Sequence, residues 1–375
     1  MNILIACDSF KDALDAPSVC RAIEKGLLLA NPLTKTRIFP LSDGGEGLSD
    51  ILNFHLGLKH FEIEVHDPLF RKVQAHYSLS ADGTTAFIEM AQAAGLQRLS
   101  QEERNPLKTT TFGVGEMIKD AIKMGATHII LGIGGSATND LGIGMASALG
   151  WRFLDKNNNE LLPVGENLKK IEQIFPPFDS LPHFGNNSQD IQFEVLNDVK
   201  NPLLGKNGAA NVYARQKGAN TQDIEALEQG AGHFSKISNW LHGMTDIEGA
   251  GAAGGLGFGA ILFLGASLKS GIEVIMDLTA YDQQVAWADI IFTGEGKLDQ
   301  QTANGKLITG IISRSCQKPV IALCGALEVS PQFVNQLGLT AAFSIAQKPC
   351  SLQEALDSTE ENLEKTAYQV GKILL

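Results

Sequence analysis

Five glycine-rich segments of this chain carry charged side chains or a hydroxyl inside or beside them. They are Asp43-Gly-Gly-Glu-Gly47, Gly132-Ile-Gly-Gly-Ser-Ala-Thr-Asn-Asp140, Asn197-Asp-Val-Lys-Asn-Pro-Leu-Leu-Gly-Lys-Asn-Gly208, Gly249-Ala-Gly-Ala-Ala-Gly-Gly-Leu-Gly257 and Thr293-Gly-Glu-Gly-Lys-Leu-Asp-Gln-Gln-Thr-Ala-Asn-Gly-Lys306. Glycine lets backbone N–H groups approach a ligand closely, and successive ones form an anion-binding nest. A carboxylate beside a nest repels a bare phosphate but accepts the metal ion that travels with it. Cradles, acids and lysines together point to handling of a magnesium nucleotide. Asp43 stands where a carboxylate could take a proton from a substrate alcohol or hold a metal, although by itself the segment reads as a turn with a solvated acid. Lys11, Arg71, Lys297 and Lys306 are the cations in or next to loops at expected strand ends or domain crossings. A phosphate or a substrate carboxylate needs such groups, and arginine suits carboxylates through paired hydrogen bonds.

Other chemistries find less support. No GxxxxGK[ST], GxSxG or HxxxH pattern occurs, so a P-loop, a hydrolase elbow and a zinc helix are not indicated. Gly249-Ala-Gly-Ala-Ala-Gly254 fits a dinucleotide pattern but follows a polar segment rather than a strand. Gly132-Ile-Gly-Gly-Ser-Ala137 fits the related GxGxxA form, follows an expected strand, and has Asp155 about twenty residues on. An NAD-dependent hydroxyacid dehydrogenase using that loop therefore stays open as the alternative, and so does a non-catalytic sensor of a sugar acid.

The chain has 375 residues, enough for roughly two domains, and 44% of them are apolar. A net charge of −12 argues against nucleic-acid or anionic-membrane partners, whose footprint is basic. Five cysteines without a CxxC pair fit a reduced, cytoplasmic setting. Residues 250–268 carry no charge, but their glycines argue for a loop running into a short buried helix at 260–266 rather than a membrane span.

Positioning these loops requires alternating strands and helices. Apolar runs predict strands at 2–7 and 37–41, with helices from about Pro17 and over 46–56. Period-two alternation over 61–65 and 73–79, with a turn at Asp82-Gly83, opens a β-rich unit near residue 60. Further strands are expected at 128–131 and 191–196, and helices at 113–124, 141–149 and 222–241, with a polar turn at 155–160. The last ninety or so residues resume a doubly wound pattern and end in a helix whose Ser351 and Glu354 have capping-box spacing. The expected fold is thus two α/β domains. A discontinuous Rossmann- or flavodoxin-like parallel-sheet domain, 1–60 plus 285–375, would hold an inserted β-rich α/β domain, 61–284, with the active site in the cleft between them.

Seven segments, in order along the whole chain, resemble the bacterial type 1 glycerate kinase family. They are Asp8-Ser-Phe-Lys11, Pro40-Leu-Ser-Asp-Gly-Gly-Glu-Gly47, Asp67-Pro-Leu-Phe-Arg71, Gly134-Gly-Ser-Ala-Thr-Asn-Asp140, the segment 197–210, the segment 249–257, and Thr293-Gly-Glu-Gly-Lys-Leu-Asp299 with Gln301-Thr302 and Gly305-Lys306. The chain departs from the family pattern where glycine is usual: Asp12 follows Asp8-Ser-Phe-Lys11, Leu141 follows Asn139-Asp140, and Phe70 and Lys72 replace glycine and proline.

The resemblance implies ATP-dependent phosphorylation of D-glycerate with Mg2+, most often giving 2-phosphoglycerate. It implies a cytoplasmic enzyme with a small-molecule substrate, no nucleic-acid or membrane partner, and a monomeric or small homo-oligomeric state. On this basis Asp43 is the first candidate for the base, with Asp198 second. Lys11 and Lys306 would stabilise the transferring phosphate, and Asp198 and Asp299 would hold Mg2+. Arg71 would take the glycerate carboxylate, with Asp8, Ser9, Gly44, Gly45 and Glu46 around the substrate. Gly134, Gly135, Ser136, Asn139, Asp140, Gly254, Gly255, Gly257, Gly294 and Glu295 would bind the nucleotide.

Overall fold

The computed structural model describes residues 1–42, 47–177, 191–238, 246–300 and 306–374, the last range without the Lys306 side chain. Strands along the chain are β1 (Asn2–Ile5), β2 (Lys35–Ile38), β3 (Lys59–His66), β4 (Lys72–Leu79), β5 (Thr85–Glu89), β6 (His128–Gly132), β7 (Arg152–Leu154), β8 (Gln173–Phe175), β9 (Gln192–Leu196), β10 (Ser267–Lys269), β11 (Ile290–Leu298), β12 (Val320–Leu327) and β13 (Ala341–Ser344). The chain divides into two compact α/β units, Met1–Asp43 with Ile272–Leu375, and Gly44–Gly271.

The first unit is built on a parallel sheet in the order β13-β12-β11-β1-β2. Ile3, Leu4 and Ile5 are fully buried, as a central strand covered on both faces requires. The chain leaves β1 for β2 on one side, and re-enters the sheet at β11 on the other. The sheet therefore has a topological switch point between β1 and β11, where open α/β sheets leave a crevice at the carboxyl ends of their strands. The helix Ala16–Ala30 starts where Asp15 accepts the Ser18 amide at 2.7 Å, with Pro17 in its first turn. Its face bearing Val19, Ile23 and Leu27 enters a core shared with Phe292, Leu323 and Ala367.

In the second unit the sheet order is β10-β9-β6-β5-β4-β3. The members β10, β9, β6 and β5 run parallel, whereas β4 and β3 form an antiparallel edge. The alternating segments near residue 60 are this edge. Its turn to β5 is fixed by Asp82, which accepts from the Ser80 hydroxyl and from the amide and hydroxyl of Thr84. The loops that follow β6, β9 and β10 all leave the sheet at one carboxyl edge.

Several boundaries shift. The second strand ends at Ile38, before the expected 37–41 segment is complete. The helix expected from residue 46 starts at Leu48, behind a left-handed Gly47. The helix expected over 222–241 is Thr221–Ile237, closed at its start by reciprocal bonds between Asn220 and Asp223. The expected Ser351–Glu354 capping box is present and opens the short helix Leu352–Asp357, ahead of the helix Thr359–Leu374. The uncharged 250–268 stretch forms the helix Ala252–Leu264, longer than expected and interrupted near its start. No helix among the described residues is long and apolar enough to cross a membrane.

The helix Ala16–Ala30 packs against Thr359–Leu374 so closely that a Cβ on Gly26 would lie 2.8 Å from the Ala367 Cβ and strike the Glu364 carbonyl. In an open helix, alanine in place of glycine adds about 0.5–1 kcal/mol of stability. Here the collision reverses the sign: Gly26→Ala is expected to lower unfolding free energy by about 1–3 kcal/mol. Urea denaturation measures it, and a gain in midpoint would contradict the packing.

Candidate active site

In the second unit, β6 ends at Gly132 and the chain turns through Gly134 and Gly135, both exposed, before diving into the interior. Gly135 is left-handed, with φ of 69°. Two backbone bonds lay this turn along a neighbouring segment, Leu96 N–H to the Gly135 carbonyl and Ala137 N–H to the Ala94 carbonyl, each 2.9 Å. Ser136, Thr138, Asn139 and Asp140 are all buried.

Asp140 holds the loop in place. Its Oδ2 accepts from the Thr111 amide and hydroxyl, both at 2.8 Å, and from the Gly144 amide at 3.1 Å. Its Oδ1 accepts from the Gly142 amide at 3.2 Å. Burial pushes the carboxyl pKa above the usual carboxylate range, and these hydrogen bonds pull in the opposite direction. Asp140, a candidate nucleotide contact in the sequence, spends its oxygens on the protein's own donors and braces the loop. Thr109 assists by donating to the Ala137 carbonyl at 3.0 Å.

A second glycine segment is fitted against this loop. Ala253, Gly254 and Gly255 are consecutive left-handed residues, with φ of 52°, 68° and 84°, and regular helix resumes at Leu256. A Cβ on Gly254 would strike the Thr138 carbonyl and lie 2.7 Å from the Asn139 Cα. The Leu141 amide donates to the Gly254 carbonyl at 3.2 Å. Gly257 packs beneath, where a Cβ would lie 2.6 Å from the Gly249 carbonyl. The loop after β9 joins through the Gly251 amide, which donates to the Asn201 carbonyl at 2.9 Å, while Tyr213 holds the Asn201 side chain at 2.6 Å. At the start of that loop, Asp198 accepts from the Ser270 hydroxyl at 3.4 Å and the Gly271 amide at 3.2 Å.

Thr138 Oγ1 and Asn139 Nδ2 are buried here without a hydrogen-bond partner among the described residues. A buried polar atom left unsatisfied costs about 1–3 kcal/mol, so this pair marks a place built for a ligand or water. The sequence also gave no warning of Lys217, which is 1% exposed and whose Nζ donates to Ser136 Oγ and the Thr138 carbonyl, both at 2.7 Å. Nor did it single out the Thr109–Thr111 run that fastens Asp140 and Ala137. Three adjacent hydroxyls ahead of an apolar helix are the signal that could have found them.

The first unit brings Asp8 and Gly294 together through an Asp8 N–H to Gly294 carbonyl bond of 3.2 Å at the switch point. Asp8 Oδ1 accepts the Ser9 amide at 2.7 Å. Lys11 is exposed. Glu295 pairs in register with Cys324, and Lys297 bridges Asp299 at 3.4 Å and Glu328 at 2.9 Å. Asp43, Gly44, Gly45, Glu46 and the Lys306 side chain lie outside the described residues.

In the second unit, Arg71 places Nε on Asp67 at 2.6 Å, one terminal nitrogen on Glu103 at 2.7 Å and the other on the Arg98 carbonyl at 3.2 Å. The dinucleotide pattern at Gly132 lacks its helix. The next helix, Ile143–Ala148, begins only after Asp140 and Gly142, and Asp155 spends its carboxylate on the Asn157 and Asn159 amides of its own exposed turn. Those positions do not form a nicotinamide-nucleotide site.

The departures from the family pattern have a common backbone feature. Asp12, Phe70 and Leu141, the residues standing where glycine is usual, all have positive φ, at 62°, 60° and 53°. A left-handed L-residue costs about 1–2 kcal/mol. Phe70 and Leu141 also pack against neighbours, but Asp12 is exposed. Asp12→Gly is therefore expected to raise stability by about 0.5–1 kcal/mol, the relief of strain exceeding the added freedom of the unfolded chain. Thermal denaturation reads it, and a lowered midpoint would show the side chain does more than occupy the turn.

The glycerate kinase family model matches residues 3–375. A Bacillus cereus protein named glycerate kinase is 43% identical, with 100% of this chain and 98% of that protein covered. An Escherichia coli protein named glycerate 2-kinase is 38% identical over 100% of this chain and 98% of its own length. A crystal structure provisionally named glycerate kinase 2, from Salmonella typhimurium, superposes with a TM-score of 0.86 at 40% identity, covering 100% of this chain and 98% of that one. With the match running from end to end, this chain belongs to the glycerate kinase family.

Proposed function

We propose that the chain transfers the γ-phosphoryl group of ATP to a hydroxyl of D-glycerate, giving 2-phosphoglycerate. The observation that carries this reading is the pairing of Thr138 Oγ1 and Asn139 Nδ2, buried and unsatisfied, with the left-handed run 253–255 packed against the same loop. Such backbone concavities bind anionic oxygens. Membership of the family supports glycerate as the acceptor, and the name of the E. coli relative supports position 2.

Phosphoryl transfer needs positioning and charge neutralisation more than covalent help. Gly134, Gly135, Ser136 and Asn139, with Gly254, Gly255 and Gly257, would shape the nucleotide cradle, and Gly294 and Glu295 are further candidates for binding the nucleotide. Lys11 and Lys306 would face the transferring phosphate. Asp43 would accept the proton of the glycerate hydroxyl, with Asp198 as the second candidate, and Asp8, Ser9, Gly44, Gly45 and Glu46 would surround the substrate. Arg71 would take the carboxylate by exchanging Glu103. That ion pair is solvent-exposed and worth only about 0–1 kcal/mol, while the buried Asp67 keeps the guanidinium oriented.

Mg2+ suits Asp198 and Asp299, whose carboxylates are hard oxygen donors at strand ends. It favours one or two such ligands plus phosphates over a full protein cage. When bound, it would neutralise charge on the β- and γ-phosphate oxygens. Five cysteines without a disulfide fit a cytoplasmic setting; the enzyme would act as a monomer or small homo-oligomer.

The test is phosphorus NMR of D-glycerate incubated with the protein, ATP and Mg2+. A 2-phosphoglycerate resonance is expected. A 3-phosphoglycerate resonance would overturn the choice of hydroxyl, and no ATP-dependent product would overturn the activity.

A further inference from the structure

The ammonium group of Lys217 has no part in the roles above, yet it is among the most deeply buried charged groups of the second unit. It closes the short turn Arg215–Lys217, between the helices Ala209–Tyr213 and Thr221–Ile237. Gly218 follows at φ of 95°, where a Cβ would strike the Arg104 carbonyl, so the turn is pinned against its neighbours. The side chain runs inward to the loop after β6 and ends on Ser136 Oγ and the Thr138 carbonyl.

A protonated lysine has three hydrogens and no lone pair. Its bond to Ser136 therefore has one direction: Nζ donates, Oγ accepts, and the serine hydrogen must point elsewhere. Among the described residues that hydrogen has no protein acceptor, and the exposed Gly134 and Gly135 immediately precede it.

We propose that Lys217 is a positioning residue that turns Ser136 into a hydrogen-bond donor toward an anionic phosphate oxygen held at the Gly134–Gly135 turn. This rests on the nucleotide-binding reading of that loop. A neutral amine gains a lone pair that can take the serine hydrogen and reverse the bond, so the outward direction of the Ser136 donor is enforced only while Lys217 is protonated. Burial lowers the Lys217 pKa to about 7, with Asp140 acting in the opposite direction, so the reversal falls near neutrality. The other charged groups around the turn are Asp140 in the contacted loop, Arg215 on the turn itself and Arg104 behind Gly218. Burial raises the Asp140 pKa as well, so the variants below, rather than the pH profile alone, assign the effect. A loss of affinity as pH rises through and above 7 belongs to Lys217 if it disappears in both Ser136→Ala and Lys217→Met.

Calorimetric titration with ATP from pH 6.5 to 9 tests this in the wild type, Ser136→Ala, Lys217→Met and Lys217→Arg. Ratios between proteins at each pH cancel the ionisation of ATP itself. Wild-type affinity is expected to fall roughly tenfold across the range, the worth of one charge-assisted hydrogen bond. Ser136→Ala should start about tenfold weaker at pH 6.5 and stay flat, as should Lys217→Met. Lys217→Arg, always protonated, should hold its affinity at pH 9 better than the wild type. Ser136→Ala removes little volume, so it carries the test even if Lys217→Met fails to fold. The same alkaline fall in Ser136→Ala as in the wild type would overturn the proposal, and so would its absence from the wild type. In either case phosphorylation of glycerate would leave the kinase reading standing, whereas a wild type that binds no ATP would remove both.

Discussion

The buried carboxylate of Asp140 is the constraint on which the second unit's loops depend. An ionised group placed out of water is unfavourable unless every lone pair finds a donor. Asp140 finds them in Thr111, Gly142 and Gly144, which come from two separate stretches of backbone. Satisfying the charge thereby fixes the start of two helices, Phe112–Lys123 and Ile143–Ala148, relative to the end of β6. Lys217 adds a second fastening at Ser136 and Thr138. Between these ties Thr138 Oγ1 and Asn139 Nδ2 are held without partners among the described residues, which a loosely packed loop would not tolerate.

Close backbone approach is the complementary constraint. Gly254 fits only because no Cβ stands between it and the Thr138–Asn139 backbone, and its left-handed φ suits glycine for the same reason. Asp12, Phe70 and Leu141 take left-handed angles without glycine's freedom. Leu141 offsets the strain by burial in the main core of the second unit, and Phe70 by tilted and edge-on ring contacts with Phe112 and His66. Strain of this kind persists where the surrounding structure over-determines the backbone, and it gathers near functional loops.

What was legible in the sequence follows from how local each signal is. The parallel strands, the antiparallel edge near residue 60 and the capping box at Ser351 are written in short-range patterns that tertiary packing did not override. The glycine loops were legible as loops, since glycine has few other reasons to cluster. The role of Asp140 was not, because the same Asn-Asp pair reads equally well as a ligand contact or a brace. The donors that decide between them, Thr111 and Gly144, lie 29 and 4 residues away. Lys217 was hidden for a related reason. In Arg215-Gln-Lys217 it looks like one more solvated charge, and only the fold reveals that it turns inward onto Ser136 and Thr138. Arg71 was singled out for its chemistry, but its partners Asp67, Glu103 and the Arg98 carbonyl could be known only from the folded chain.

The most direct test of the brace is hydrogen exchange in Asp140→Asn, which keeps the shape and removes the charge. Whichever way the amide is turned, its NH2 group faces a backbone donor, so at least one of the four bonds is replaced by a repulsion. Exchange should quicken across residues 109–113, 134–145 and 252–257, while β3, β4 and the sheet of the first unit keep their protection. Unchanged exchange through those loops would mean that packing alone holds them, and that the buried charge is not what organises the site.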